Sequence, residues 1–490
     1  MSATLDNAIY EKYGGRVLLA LSLALLAWRC SVIQHLGITL YVDEAQYWTW
    51  AQHLDWGYFS KPPGIAALIR LSTALFGDGL LGVKALAMLC YPLAAGVCWA
   101  IARRLYDART AFWSTLIVLT LPMFAWLGLF VSTDALLTLF WTLALWAYLR
   151  ALARDSWADW LLLGAICGLG LLAKYTMAAW LGAAFLHLLA FHRQRLRSLK
   201  PWLAAGLALL ILAPNIVWNF QHDFPTLKHT ADITLNKTTL GGPAALGEFW
   251  AAQWISFGPV LGCFFFWLLL RARQSWQDDK TRLLLWFSLP LWLVVSLQAI
   301  KSGANPNWAA PAFAPAAIAI AAWLLQRGKM RWLLIGLALN VTLVAAVYYW
   351  PSILATAQVE NPARKNPFKR AMGWDALAQQ LKPILVAHPG AVLVADNRTL
   401  LAHMLYELRD LQPQAASWNP SGVASDHYKL TTDLRPYVGR DAILITQNPP
   451  GEEFARDFSS IDKLASLKAP LDRTLSRDME VYLLRNFKGY

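Results

Sequence analysis

Adjacent acids, Asp43 and Glu44, follow the first long apolar run of the chain directly. They open the stretch YVDEAQYWTWAQHLDWGYFSKPPG (41–64), which ends on Lys61-Pro62-Pro63. A carboxylate at a membrane surface can take the proton of an attacking hydroxyl. A nearby lysine can stabilise a departing phosphate. The same stretch also reads as a wet loop with interfacial Trp and Tyr. Asp134, in FVSTDALLTLFW, lies near the end of an otherwise apolar run. Carboxylates there are costly and face a cavity or a partner, although Asp134 in the first turn after Ser132 and Thr133 also suits a helix start. Lys174 interrupts GLLAKYTMAAW. It needs a lipid phosphate or an acid, or it snorkels to the surface. Lys301 begins AIKSGANPNWAAPAFAPA (299–316), a Gly-, Asn- and Pro-rich turn before a helix, whose first amides could help hold an anion. An ordinary interfacial turn is the alternative there.

The elements that must carry these groups are membrane helices. Of 490 residues, 57% are hydrophobic and 15% charged, against roughly 25% charged in soluble domains. Eleven apolar segments have membrane-spanning character: 16–36, 81–102, 111–127, 130–150, 159–173, 175–191, 201–220, 248–270, 283–300, 307–326 and 331–350. The first is long enough to remain as a helix rather than be cleaved as a signal. Gly164, Gly168 and Gly170 read as helix-packing glycines, not a phosphate loop, since no strand precedes them.

Charge sets the orientation. With the N-terminus inside, the inner loops hold the clusters Arg103-Arg104, Arg193 to Lys200, Arg271 to Arg282 and Arg327 to Arg331. The outer side holds only Lys61, Arg70, Lys84, Lys174, Lys228, Lys237 and Lys301. Positive charge marks the cytoplasmic side, and an odd number of spans leaves the C-terminal region outside. The net charge of +13 is thus a topology signal, and no nucleic-acid partner is expected.

From about Pro351 the composition becomes polar. AVLVAD (391–396), AILIT and EVYLLRNF (480–487) read as short buried strands, and TLLAHMLYEL (399–408) as a helix. This predicts residues 1–350 as a membrane domain and 351–490 as a small α/β domain outside it. Cys30, Cys90, Cys98, Cys167 and Cys263 all lie in apolar runs. Without CxxC or Cys/His clustering, they read as small buried residues, not disulfides or metal ligands.

At these residues the chain resembles the protein O-mannosyltransferase-like membrane glycosyltransferases (family 39), which include relatives of the lipid A aminoarabinose transferase. The acidic pair with GYFSKPP, the STD at 132–134, the AKYT at 173–176 and the K-x₅-NW-x₂-P at 301–311 are similar to the family's motifs. The likeness covers roughly 10–350, and the tail also resembles bacterial members. It implies a class C glycosyltransferase fold. Asp43 is then the catalytic acid/base, with Glu44 and Asp134 beside it in the catalytic set. Lys61 contacts the donor phosphate. Lys174, Lys301, Tyr58 and Asn307 belong to the substrate-binding set. No metal and no cofactor are implied. The eukaryotic enzymes' large luminal domain is missing, so protein mannosylation does not carry over.

The expected reaction is inverting transfer of a sugar from a polyprenyl phosphate to an acceptor such as lipid A, another envelope glycan or protein. The expected place is the outer face of a bacterial cytoplasmic membrane, and the expected state a monomer among membrane lipids. Two rivals are a transporter or lipid-sugar flippase and a membrane-anchored scaffold. A transporter would more often show inverted repeats and polar groups approached from both sides. A scaffold would not need Asp43, Lys61 or Lys174.

Overall fold

The computed structural model describes residues 7–234, 241–360, 362–473 and 475–490. Lys237, counted above among the outer cations, lies outside them. The chain divides into two compact units. The first comprises Met1–Ser31, Lys61–Gly77 and Leu81–Tyr348. The second comprises Val32–Ser60, Asp78–Leu80 and Tyr349–Tyr490, so it draws on the first loop as well as the tail.

The first unit is helical. Among the described residues, seven helices are long and apolar enough to cross a membrane: Asn7–His35, Leu80–Leu105, Thr133–Arg154, Leu199–Gln221, Asp279–Ser302, Pro306–Gln326 and Met330–Tyr348. An eighth candidate is a pair, Gly242–Phe257 and Pro259–Leu270, bent by 118°. Gly258 makes the bend at φ +98°, where an added Cβ would lie 1.7 Å from Asn340 Oδ1, so only glycine fits. The segments expected at 159–173 and 175–191 are shorter helices, Trp157–Ala173 and Met177–Phe191. The segment expected at 111–127 is divided into Ala108–Thr120 and Pro122–Leu127. Pro122 biases the residue before it away from helical backbone, and Leu121 has ψ 124°.

Helix packing follows the small residues. An added Cβ on Gly164 would lie 2.3 Å from the Ala204 carbonyl oxygen, and one on Gly168 would lie 2.8 Å from Ile211 Cβ. These glycines let Trp157–Ala173 and Leu199–Gln221 approach backbone to backbone. Cys90, Cys98 and Cys167 are buried as expected, but Cys263 is exposed. It sits on an outward face of Pro259–Leu270, where a small apolar group needs no protein cover.

The second unit is built on a five-stranded sheet of β1 (Val392–Ala395), β2 (Ala415–Ser417), β3 (Ala442–Thr446), β4 (Ser460–Pro470) and β5 (Ser476–Arg485) in the order β2-β1-β3-β5-β4. β1 is parallel to both β2 and β3, and β5 is antiparallel to β3 and β4. Val392, Val394, Trp418, Leu444, Phe454 and Leu484 form its core. β1 and β3 are buried along their whole length, which explains their unbroken apolar sequences.

The first loop joins this unit as a helix, Val42–Gln52, beside Arg398–Glu407. Trp48 meets Tyr406 edge to face at 5.3 Å, and the Thr49 and Tyr428 hydroxyls are 3.1 Å apart. Thr39 donates its N–H to the Ala371 carbonyl at 2.7 Å, and Tyr41 its hydroxyl to the Pro367 carbonyl at 3.0 Å.

Candidate active site

In the helical unit, three of the expected residues converge. Lys174 Nζ donates to Asp134 Oδ1 at 2.6 Å, and Asn307 Nδ2 donates to Asp134 Oδ2 at 2.7 Å. Asp134 is 2% exposed. A buried carboxylate is tolerable only when its oxygens are satisfied by a counter-charge and hydrogen bonds. Both of its oxygens have partners, so Asp134 is a paired carboxylate as well as an acid in the first turn of Thr133–Arg154. Ser132, at the N-cap, makes no capping side-chain bond.

Local backbone places each group. Lys174 terminates Trp157–Ala173 in extended conformation, with its N–H on the Gly170 carbonyl at 3.0 Å. This breaks what would otherwise run on as one helix into Met177–Phe191. Asn307 comes from the short 3₁₀ turn Pro306–Ala312. The connection ahead of Asp134 is held by buried cations. Lys84 Nζ donates to the Leu129 carbonyl at 3.1 Å, and Arg29 lies against Gly128 and donates to the Tyr348 hydroxyl at 3.3 Å. Lys84, counted above as an outer cation, is 0% exposed within Leu80–Leu105. Arg29 is a functional-site neighbour that the charge pattern alone did not single out. Its signal was available, because a cation inside an apolar run needs a partner.

Asn307 also lines an apolar cavity of about 380 Å³ with Met123, Trp126, Ile255, Leu343 and Tyr348. One member of the polar cluster, Asn307, therefore borders an apolar slot within one unit. Lys301 does not join it. Lys301 is exposed in the last turn of Leu289–Ser302. Lys61 is part-buried just before Gly64–Phe76.

In the second unit the acidic pair separates by exposure. Glu44 is 1% exposed, and its Oε2 accepts the Tyr41 N–H at 2.8 Å across the start of Val42–Gln52. The Asp43 side chain is 58% exposed and accepts a 2.7 Å hydrogen bond from Arg398 Nη2. Asp43 is thus the acid that a substrate can reach. Tyr58 is 2% exposed and stacked on Trp50 at 4.4 Å. Its hydroxyl accepts the Asp55 N–H at 3.0 Å and donates to the Trp50 carbonyl at 3.2 Å. Burial pushes this hydroxyl up to about 12, so Tyr58 is a neutral strut inside the loop. His427 closes the cluster edge-on to Trp50 and Tyr58, and burial lowers it to about 4. Among the described residues, no group of three or more His, Cys, Asp or Glu side chains is placed to hold a metal ion.

Residues 60–218 match the family model described as dolichyl-phosphate-mannose-protein mannosyltransferase. The chain is 32% identical over 432 residues to a lipid A galacturonosyltransferase of Rhizobium johnstonii, covering 87% of this chain and 90% of that one. It is 28% identical to an undecaprenyl phosphate-α-4-amino-4-deoxy-L-arabinose arabinosyl transferase of Pseudomonas fluorescens, over 60% of this chain and 56% of that protein. Among solved structures, ArnT from Cupriavidus metallidurans in the apo state superposes with a TM-score of 0.67 at 18% identity, covering 96% of this chain and 98% of that one. ArnT bound to undecaprenyl phosphate gives 0.66 at 16% identity, over 95% and 97%. The fold is that of the class C membrane glycosyltransferases. The chain belongs to the protein O-mannosyltransferase-like family (family 39), related to the lipid A aminoarabinose transferases, and is a glycosyltransferase.

Proposed function

We propose that the enzyme transfers a sugar from a polyprenyl phosphate to lipid A or a related envelope glycolipid. The observation that carries this reading is the Asp134–Lys174–Asn307 cluster, whose Asn307 lines the apolar cavity. A lipid phosphate needs a polar anchor with an apolar slot beside it, and this unit supplies both. The relatives named for lipid A and undecaprenyl phosphate substrates support the same donor and acceptor classes.

In this reading Asp43 is the base. It takes the proton of the acceptor hydroxyl as that oxygen bonds to the sugar's anomeric carbon. The bond from that carbon to the phosphate oxygen breaks, and the polyprenyl phosphate leaves with the electron pair. One displacement inverts the anomeric centre. A positioned base contributes roughly 10²–10⁴ in rate. Lys61 neutralises the departing phosphate, and cations aimed at developing negative charge are worth several kcal/mol in a dry site. Lys301, exposed, is kept for an outer contact with a lipid headgroup. The reaction is placed on the periplasmic face of the bacterial inner membrane, with 351–490 on that side and the enzyme a monomer.

The test is a purified-enzyme assay with undecaprenyl phosphate-linked sugars and lipid A, reading transfer and donor binding separately. Lys61→Ala should weaken donor binding and lower transfer at least tenfold, with Lys61→Arg in between. Transfer and donor binding at wild-type levels in Lys61→Ala and Lys174→Ala would remove both from the donor site.

A further inference from the structure

The proposed function leaves Arg398 without a role, although it touches the proposed base. It comes from the tail, 355 residues after Asp43. Its place in the sheet is specific. β1 is flanked by β2 on one side and β3 on the other, both parallel to it. The chain leaves β1 toward β2 and later crosses back to β3, which makes the carboxyl end of β1 a switch point. Open α/β sheets bind ligands just outside the carboxyl ends of strands at such a point.

Asp396-Asn397-Arg398 is the segment that leaves that end of β1. It is held firmly. Asp396 Oδ2 accepts the hydroxyl of Thr446, the last residue of β3, at 2.6 Å. Asn397 caps the next helix by accepting the N–H groups of Thr399 and Leu400, both at 3.1 Å. Arg398 is the first residue of that helix and lies 35% exposed.

The pair itself is a poor structural strut. Both ions are partly solvated, and exposed pairs contribute little to stability. The packing of Val42–Gln52 is supplied instead by Trp48 with Tyr406 of Arg398–Glu407 and by Thr49 with Tyr428 of the helix His427–Thr431. An ion pair that contributes little to folding can exchange its partner readily. A guanidinium matches planar carboxylates and phosphates through parallel N–H groups.

Resting on the reading of Asp43 as base, we propose that Arg398 is a specificity-determining residue that docks an oxyanion of the reacting substrate. In the free enzyme it holds Asp43. When substrate binds, the substrate's anion takes the guanidinium and Asp43 turns to the acceptor hydroxyl. The anion is either the carboxylate of a uronic acid donor or a phosphate of the acceptor. A group one hydrogen bond from the base lies within a sugar ring's reach of the reacting carbon, so either source fits the same cation. A neutral donor with an unphosphorylated acceptor gives Arg398 nothing to exchange for.

The experiment uses full-length enzyme in nanodiscs. Donors are undecaprenyl phosphate-linked galacturonic acid and galactose; acceptors are lipid A with and without its phosphates. Donor binding and kcat/KM are measured for wild type, Arg398→Ala, Arg398→Lys and Asp43→Asn. A donor contact predicts that Arg398→Ala loses about 10- to 100-fold on the uronosyl donor, the range for a hydrogen bond to a charged group, and under about threefold on the galactosyl donor. An acceptor contact predicts the same ratio between phosphorylated and dephosphorylated lipid A. Arg398→Lys should keep part of the preference. An equal loss on all substrates, or no loss on any, would overturn the proposal. Asp43→Asn separates the two readings: if it transfers normally the base assignment fails, whereas the substrate ratio of Arg398→Ala judges Arg398 alone. Unchanged thermal unfolding of Arg398→Ala guards against a folding defect.

Discussion

Lys174 and Asp134 form a buried ion pair at 2.6 Å, with side-chain exposures of 16% and 3%. Breaking such a pair leaves one uncompensated charge, at a cost of about 3–5 kcal/mol. Lys174→Met and Asp134→Leu should each lower the yield of folded enzyme. The double variant should recover much of that yield and no transfer activity. Size-exclusion yield and thermal unfolding of the four proteins check this. Additive losses in the double variant would mean that the two residues act independently.

Asp43 and Glu44 should fail in different ways. Asp43→Asn keeps the size of the side chain but cannot take a proton. It should fold normally and lose about 10²-fold or more in kcat. Glu44→Gln should retain measurable transfer and unfold at lower temperature, because Glu44 holds the N–H of Tyr41 from inside the fold. The check is kcat beside thermal unfolding for both. A stable, inactive Glu44→Gln with an active Asp43→Asn would exchange their roles.

Glu407 gives a pH signature. Burial, followed by repulsion from Asp375, pushes it up to about 7, against the opposing pull of Arg409 and a Thr39 hydrogen bond. The unfolded chain ionises it near 4.5, so folding favours the protonated acid. That contribution is complete below about pH 4.5 and is lost as pH rises through about 7. Glu407→Gln should therefore match wild type near pH 4.5 and be more stable at pH 8, by on the order of 2–3 kcal/mol. Unfolding temperatures across that range measure the difference, and a gap independent of pH would refute the assignment.

Orientation is testable by fusion. Reporters placed after Arg197 and Arg273 should report cytoplasm, and those near Lys228 and at the C-terminus should report the outside, from the loop charge bias. A cytoplasmic C-terminus would overturn the odd number of spans and the placement of 351–490 outside.

Much of the fold is legible in apolar run length, since a bilayer imposes one length scale. The exceptions have local causes. Pro122 divides one expected run, and Gly258 bends another. β1 and β3 announced themselves through continuous burial. β2 has three residues, and β4 is an exposed edge strand with little apolar pattern, so neither left a signal. Asp134 and Lys174 stood out as charges in apolar sequence. Arg398 did not, because a basic residue in a polar tail is unremarkable until the sheet brings it to Asp43.

That long-range closure has a consequence in time. The helix that carries Asp43 emerges early from the ribosome, and its partner Arg398 follows 355 residues later. At roughly 5–20 residues per second, about 20–70 s pass before the two can meet. Through that interval Trp48, Trp50 and Ala45, all buried in the finished protein, lack their tail-derived cover. The first loop is therefore open to proteolysis until the tail covers it, and a chain stopped before β1 would leave that loop unfinished.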